Sequence, residues 1–192
     1  MPQVIEWVNP GAEDILWRYS DEEITWGAQL IVHEYETAVF FRDGKAYDVF
    51  GPGRHTLTTL NLPLITGLLT RIAGYKTKPF KASVIIISTK VFAGKYGTKA
   101  QTTELAPLQV YGSFWFKVEN ASLFVNEVVG GQQAYTTEDV NNYLRGFLNE
   151  KIIDELSHYD LVTVFTRLDE TSVIEKNASL DYFKRIGLEL TE

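Results

Sequence analysis

A chain of 192 residues, 45% hydrophobic and 22% charged, is long enough to bury the core of one ordinary domain and barely long enough for two. Its formal net charge of −7 argues against nucleic acid, which needs clustered Lys and Arg, and disfavours unaided binding to an anionic membrane face. The absence of cysteine excludes disulfides, thiolate catalysis and cysteine-ligated metal. No apolar run approaches the ~18–20 residues of a membrane-spanning helix, and the first residues lack the basic region and long apolar core of a secretory signal. The expected location is therefore the cytoplasm.

Taken in order, Val4 to Val8 is a short apolar stub closed by Asn9, Pro10 and Gly11, and Ile15 to Tyr19 reads as a strand. Asp21, Glu22 and Glu23 interrupt the apolar character before Ile24 to Gly27. Residues 1–27 are thus expected to form an N-terminal arm, and residues 28–192 one globular unit. Trp7, Trp17 and Trp26 are expected to pin the arm to the domain. An alternative makes Val4, Ile5, Trp7 and Val8 a membrane or partner contact, since tryptophan joins a large apolar ring to one polar N–H.

Residues 29–57 carry the clearest pattern. Asp43 and Gly44 sit between two apolar runs, and this pair favours a two-residue hairpin whose central residues both need positive φ. That turn predicts Phe41 opposite Ala46, Phe40 opposite Tyr47, Val39 opposite Asp48 and Ala38 opposite Val49. Both faces of the hairpin are largely apolar, so both are expected to be covered. Gly51, Pro52 and Gly53 end the second strand and redirect the chain into a further strand at Arg54 to Thr58.

Leu62 to Ile72 predicts a short helix or irregular turn with Leu64, Ile65, Leu68, Leu69 and Ile72 at helical spacing. Gly74 to Pro79 is a polar loop. Ala82 to Ser88 is a continuous apolar run, the mark of a strand buried on both faces, and it is expected to extend through Phe92. The glycine-containing segment from Gly94 to Pro107 reads as a long exposed hairpin loop. Gln109 to Val118 is the last long strand, with Val110, Phe114, Phe116 and Val118 on one face.

Helices follow. Asn120 is placed to cap a helix from Ala121 to Val129 that stops at Gly130 and Gly131. Thr136 or Thr137 caps the longest helix, with Glu138 and Asp139 in its first turn. Its Val140, Tyr143, Leu144, Phe147, Leu148, Ile152 and Leu156 keep a 3.6-residue spacing. Asp160 caps a short helix through Leu161, Val164 and Phe165. Thr171 or Ser172 caps another, with Ile174, Ala178, Tyr182, Phe183 and Ile186 inward. Gly187 stops it before an edge strand at Leu188 to Thr191. Strands first and helices last imply one α+β domain.

The segments 4–7, 38–59, 61–69, 79–92, 108–130 and 135–145 together resemble an SPFH (band 7, or stomatin/prohibitin/flotillin-like) domain, closest to its prokaryotic "virion core protein-like" branch. The resemblance implies a mostly antiparallel, strongly curved sheet from the N-terminal two-thirds, packed by C-terminal helices. Relatives often carry an amphipathic segment before Val4, nearly absent here, and a tryptophan where this chain has Tyr96. They continue beyond the last strand into a long assembly helix, which in this sequence is absent or truncated. The implied role is a non-catalytic scaffold or adaptor, peripheral at the inner face of the cell membrane. It would form homo-oligomers and engage membrane proteins or lipids through avidity, without nucleic acid or a small-molecule substrate. The alternatives are a freestanding soluble protein-binding module without a membrane role, or a metal-dependent enzyme.

Chemistry gives the last alternative little to stand on. His33, Glu34, Glu36, His55 and His158 are the candidate ligands or bases, but their spacing matches no helical zinc motif. On a strand His33 and Tyr35 would point one way, Glu34 and Glu36 the other, so these read as solvated strand-end residues. His158 reads as a dipole partner at a helix C-terminus. Gly51 to Gly53 lacks the lysine-serine pair of a phosphate loop, and Gly130 and Gly131 lack dinucleotide-fold spacing. No serine sits in a nucleophile elbow. The expectation is no catalytic residue, no cofactor and no metal.

Overall fold

The computed structural model describes residues 2–71, 74, 76 and 78–192. The chain passes through β1 (Val4–Glu6), β2 (Asp14–Arg18), β3 (Glu23–Ile24), β4 (Gln29–Val32), β5 (Glu36–Arg42), β6 (Lys45–Phe50), β7 (Gly53–Thr56), α1 (Pro63–Leu69), β8 (Phe80–Lys81) and β9 (Ser83–Ser88). It continues through β10 (Phe92–Gln101), β11 (Pro107–Val118), α2 (Ala121–Phe124), β12 (Ala134–Thr136), α3 (Thr137–Leu156), α4 (Leu161–Thr166), α5 (Leu168–Arg185) and β13 (Leu188–Leu190). The fold is α+β, with mostly antiparallel sheets and the longest helices toward the C-terminus. Two compact units divide it: Met1–Lys90 with Ala121–Thr136, and Val91–Asn120 with Thr137–Glu192.

In the first unit β9 is a central strand. Its Val84, Ile85, Ile86 and Ile87 are wholly buried, as a continuous apolar run requires. It lies between β2 and β5 in a sheet of order β12-β2-β9-β5-β6. A second sheet has the order β1-β4-β7, in which β1 and β4 run parallel. Ile5, Ile24, Leu30, Phe40, Ile65 and Phe80 meet in the core of this unit. The apolar strand does not extend to Phe92: residues 89–91 break the pairing, and Phe92 opens β10.

The hairpin forms with its turn as expected, Asp43 at φ 51° and Gly44 at φ 74°. Arg42 pairs with Lys45 and Phe41 with Ala46, but the next pairs are Val39 with Val49 and Ala38 with Phe50. Tyr47 and Asp48 thus both oppose Phe40, a β-bulge that adds one residue to β6. The expected pairings of Phe40 with Tyr47, Val39 with Asp48 and Ala38 with Val49 are corrected accordingly. The shift turns Phe50 into the core, its ring 5.6 Å from that of Phe40, and leaves Val49 60% exposed.

The bulge also buries Asp48, whose carboxylate accepts hydrogen bonds from the Leu64 N–H (3.2 Å) and the Ile65 N–H (3.0 Å). Those are first-turn donors of α1 with no partner inside the helix. The residue before α1, Leu62, supplies no side-chain cap, and Pro63 needs none. Ile65 and Leu69 then face the core, whereas Leu64 and Leu68 are exposed, and Ile72 lies outside the described residues.

In the second unit the segment read as a loop is strand: β10 and β11 pair without interruption from Phe92–Phe116 to Gln101–Pro107. Of the glycines in this hairpin, Gly94 of the expected loop and Gly112 of the expected strand serve packing. Gly94 lies opposite Phe114 and Gly112 opposite Tyr96, and a Cβ at either glycine would overlap the facing ring. Each ring therefore lies across the neighbouring strand. β13 extends the sheet along Phe116 to Val118, after Gly187 at φ 80° ends α5.

Val140, Leu144, Leu148, Ile152 and Leu156 of α3 are buried as their spacing predicts. Tyr143 stays 40% exposed, while Phe147 stacks on Tyr182 at 3.8 Å between ring centres. Asp160 caps α4, accepting from the Thr163 N–H at 2.7 Å, but only Val164 of its apolar residues is buried. α5 begins at Leu168, before the expected Thr171 or Ser172 cap. Its buried face carries Thr171, Ser179 and Phe183; Ile174 and Ala178 are exposed. The first of the C-terminal helical segments is also shorter than expected, α2 giving way at Val125–Val129 to one π-turn that ends at Gly130, φ 59°.

Asp48→Ala is expected to leave two first-turn N–H groups of α1 without an acceptor and to lower stability by about 1–3 kcal/mol. A urea midpoint unchanged from wild type would show that the cap contributes nothing.

Candidate functional site

At the N-terminus, Ile5 is wholly buried and Trp7 nearly so, both within the core of the first unit. Trp17 and Trp26 pack partly buried against the same core. Val4 and Val8 are 47% and 67% exposed. β1 is held along β4, and Gln3 binds on both sides of its amide: its Nε2 donates to the Glu23 carbonyl at 2.9 Å and its Oε1 accepts from the Thr25 N–H at 2.8 Å.

The histidines separate. Residues 33–35 form a turn rather than strand, with Tyr35 at φ 64°, so the alternation expected for His33 to Glu36 does not hold. The turn brings His33 and Glu36 together: the His33 N–H reaches Glu36 Oε2 at 3.0 Å, and Nδ1 lies 3.2 Å from Oε1. The other ring nitrogen, Nε2, lies 3.0 Å from Glu6 of β1. Glu34 is exposed, and His55 instead bonds the Gly51 carbonyl at 2.8 Å and packs on Phe50. His158 bonds the Asp154 carbonyl at 2.7 Å near the end of α3. Among the described residues no group of three His, Asp or Glu side chains is arranged to hold a metal ion.

An imidazole can donate from both nitrogens only when protonated. The hydrogen bond to Glu36, the largest influence, holds the His33 pKa above its ordinary 6.5 against burial, which opposes it, and the hydrogen bond to Glu6 adds to the rise. The cluster is an ion-paired clasp between β1 and the turn that opens β5.

The second unit contains a cleft of about 310 Å³ that sequence reading did not single out. Its floor is Tyr96 and Phe114, the rings laid across the hairpin by Gly94 and Gly112. Leu148, Lys151 and Ile152 of α3 form one wall, and Ser172, Glu175 and Ser179 of α5 the other. Phe183 and Leu190 close the apolar end. The cleft exists because α5 turns a polar stripe of Thr171, Glu175 and Ser179 toward the sheet, where Ser179 is too short to fill the space. Burial raises the Glu175 pKa to about 7, with repulsion from Glu155 of α3 adding to it. The signal available in the sequence was the four-residue spacing of Thr171, Glu175, Ser179 and Phe183.

A family model described as SPFH domain–band 7 matches residues 16–192. The chain is also 24% identical over 161 residues to the uncharacterized protein YdjI of Bacillus subtilis (strain 168). That match covers 80% of this chain and 50% of the relative, so the chain spans about half the length of that protein.

The raised His33 pKa sets the sign of a pH effect. The clasp is fully formed below pH 6.5, the value of the unfolded chain, and its contribution is lost as pH rises through the higher folded-state value. Wild type is expected to exceed His33→Gln by on the order of 0.5 kcal/mol at pH 6, the scale of an exposed ion pair. The difference should shrink toward pH 8.5. Thermal melts of both proteins across this range that differ by a constant amount would rule the clasp out.

Proposed function

Because the chain belongs to the SPFH–band 7 family, we propose that it is a non-catalytic scaffold or adaptor that works at the cytoplasmic face of a membrane. It associates there with copies of itself and organises membrane proteins or lipids, in a role that extends to envelope-stress responses. The observation that carries this reading is the family match over residues 16–192.

Among the described residues no helix is long and apolar enough to cross a membrane, so the proposed association is peripheral. Of the N-terminal contact residues, Ile5 and Trp7 anchor the stub in the core, and Val4 and Val8 are the side chains free to meet a bilayer or partner. Two aliphatic side chains bury little area, at about 25 cal/mol per Å², and the net charge of −7 opposes an anionic leaflet. Stable attachment then requires several copies held together, since linked weak sites gain affinity through effective concentration. Val162 and Phe165 of α4 with Leu168 and Val173 of α5 are more than half exposed and offer apolar area for assembly or partner binding.

The test is flotation with anionic vesicles of the chain alone and of the chain fused to a trimeric coiled coil. The unfused chain is expected to remain mostly unbound, the fusion to float, and Val8→Asp to weaken the fusion's binding. Strong flotation of the unfused chain, or no gain from trimerisation, would contradict the avidity mechanism.

A further inference from the structure

The scaffold reading leaves the cleft between α3 and α5 unused. Its volume of about 310 Å³ accommodates on the order of ten non-hydrogen atoms at roughly 30 Å³ each. Phe114, Leu148, Ile152, Phe183 and Leu190 make most of its lining apolar. Water there finds few hydrogen-bond partners and is readily displaced by a hydrocarbon chain.

Glu175 is a polar group of that lining without a partner of its own among the described residues. Its carboxyl is half-buried and makes no hydrogen bond or ion pair among the described residues. The titratable groups around it are Lys151 and Glu155 on α3, Tyr96 on β10, Lys176 on its own helix and Glu192 at the end of the chain. Lys176 is committed elsewhere, donating to the Thr191 carbonyl at 2.7 Å. Lys151 lines the cleft without an ion pair to Glu175. Carboxylates outnumber lysines around an apolar slot, and the most enclosed of them lacks a donor.

We propose that this cleft binds a small amphiphile, an unbranched apolar chain of about ten carbons that ends in a primary ammonium group bonded to Glu175. The chain covers the rings of Phe114 and Phe183, and the ammonium supplies the charge-assisted donor that the protein does not. A hydroxyl end would bond the carboxyl but leave its charge unmatched. A carboxylate end would be repelled by Glu175, Glu155 and Glu192. Burial holds Glu175 near half-ionisation at pH 7, so an ammonium ligand binds more tightly as pH rises and Glu175 loses its proton. Tyr96 stays protonated throughout this range, its pKa being raised by burial.

The experiment is calorimetric titration of the full chain with n-decylamine, n-decanol and decanoate, each below its aggregation concentration. At pH 8 decylamine is expected to bind at least tenfold more tightly than decanol, with decanoate weakest. At pH 5.5, where Glu175 is protonated, the ratio of amine to alcohol affinity should fall toward one. Glu175→Gln should remove the amine preference at pH 8 while keeping decanol binding. Ser172→Trp, which fills the mouth of the cleft from a solvent-facing position, should abolish both while circular dichroism stays that of the folded protein. Equal affinity for amine and alcohol in wild type at pH 8 would overturn the proposal. So would a preference that survives Glu175→Gln, binding untouched by Ser172→Trp, or no saturable binding at all. No readout involves a bilayer, so failure here is distinct from failure of the flotation test.

Discussion

The second unit depends on a reciprocal exchange across the β10–β11 hairpin: two aromatic rings, Tyr96 and Phe114, occupy the space that two glycines, Gly112 and Gly94, leave open. A side chain opposite either ring would force it upright, into the layer where α3 and α5 run. With both rings lying on the sheet, the helices find a low floor rather than a row of projecting side chains. α3 meets that floor with an apolar face and α5 with a mostly polar one. The helix that packs poorly determines where the protein keeps unfilled space. The edge-on contact of Phe114 with Phe183, 5.8 Å between ring centres, closes that space at one end.

In the first unit the equivalent constraint is one additional residue in β6. A strand read strictly by alternation would send Phe50 to the surface and Val49 inward. The bulge reverses both and brings a carboxylate into the interior at the same step. An isolated buried carboxylate is costly unless its oxygens are satisfied, and the start of α1 satisfies them. Register, buried charge and helix position are therefore three aspects of one local irregularity.

These features explain what the sequence made legible. Asp43 and Gly44 specify their turn through backbone conformation alone, which is local, so the hairpin was readable. The bulge goes with an acceptor for α1, which lies outside the hairpin; its trace in the sequence is Asp48 among the apolar residues of β6. Gly94 and Gly97 were read as loop residues because glycine usually marks flexible backbone. In a strand it can equally mark close approach of a ring, and only the pairing with β11 distinguishes the two. α3 was readable because its buried face is apolar at every turn. α5 was not, because Thr171, Glu175 and Ser179 look like a solvated face while Ile174 and Ala178 look like a core face. Glu175 escaped notice for that reason. His33 escaped its true partners because residues 33–35 turn, which no alternation rule anticipates.

The order in which residues are assigned to the two units has a consequence for synthesis. The chain leaves the first unit after Lys90, returns to it at Ala121 and leaves again after Thr136. β2 therefore waits for its outer neighbour β12 until an intervening strand pair has been made by the ribosome. Residues 1–90 emerge with β2 still an open edge of their largest sheet, in addition to the permanent edge at β6, and an unpaired edge is a template for other chains. The β2 edge stays open for the time it takes to translate the next 46 residues, roughly 2–9 s at 5–20 residues per second. Crowding of nascent copies on one message would bring such edges together at that stage, before the finished protein has any surface through which to assemble.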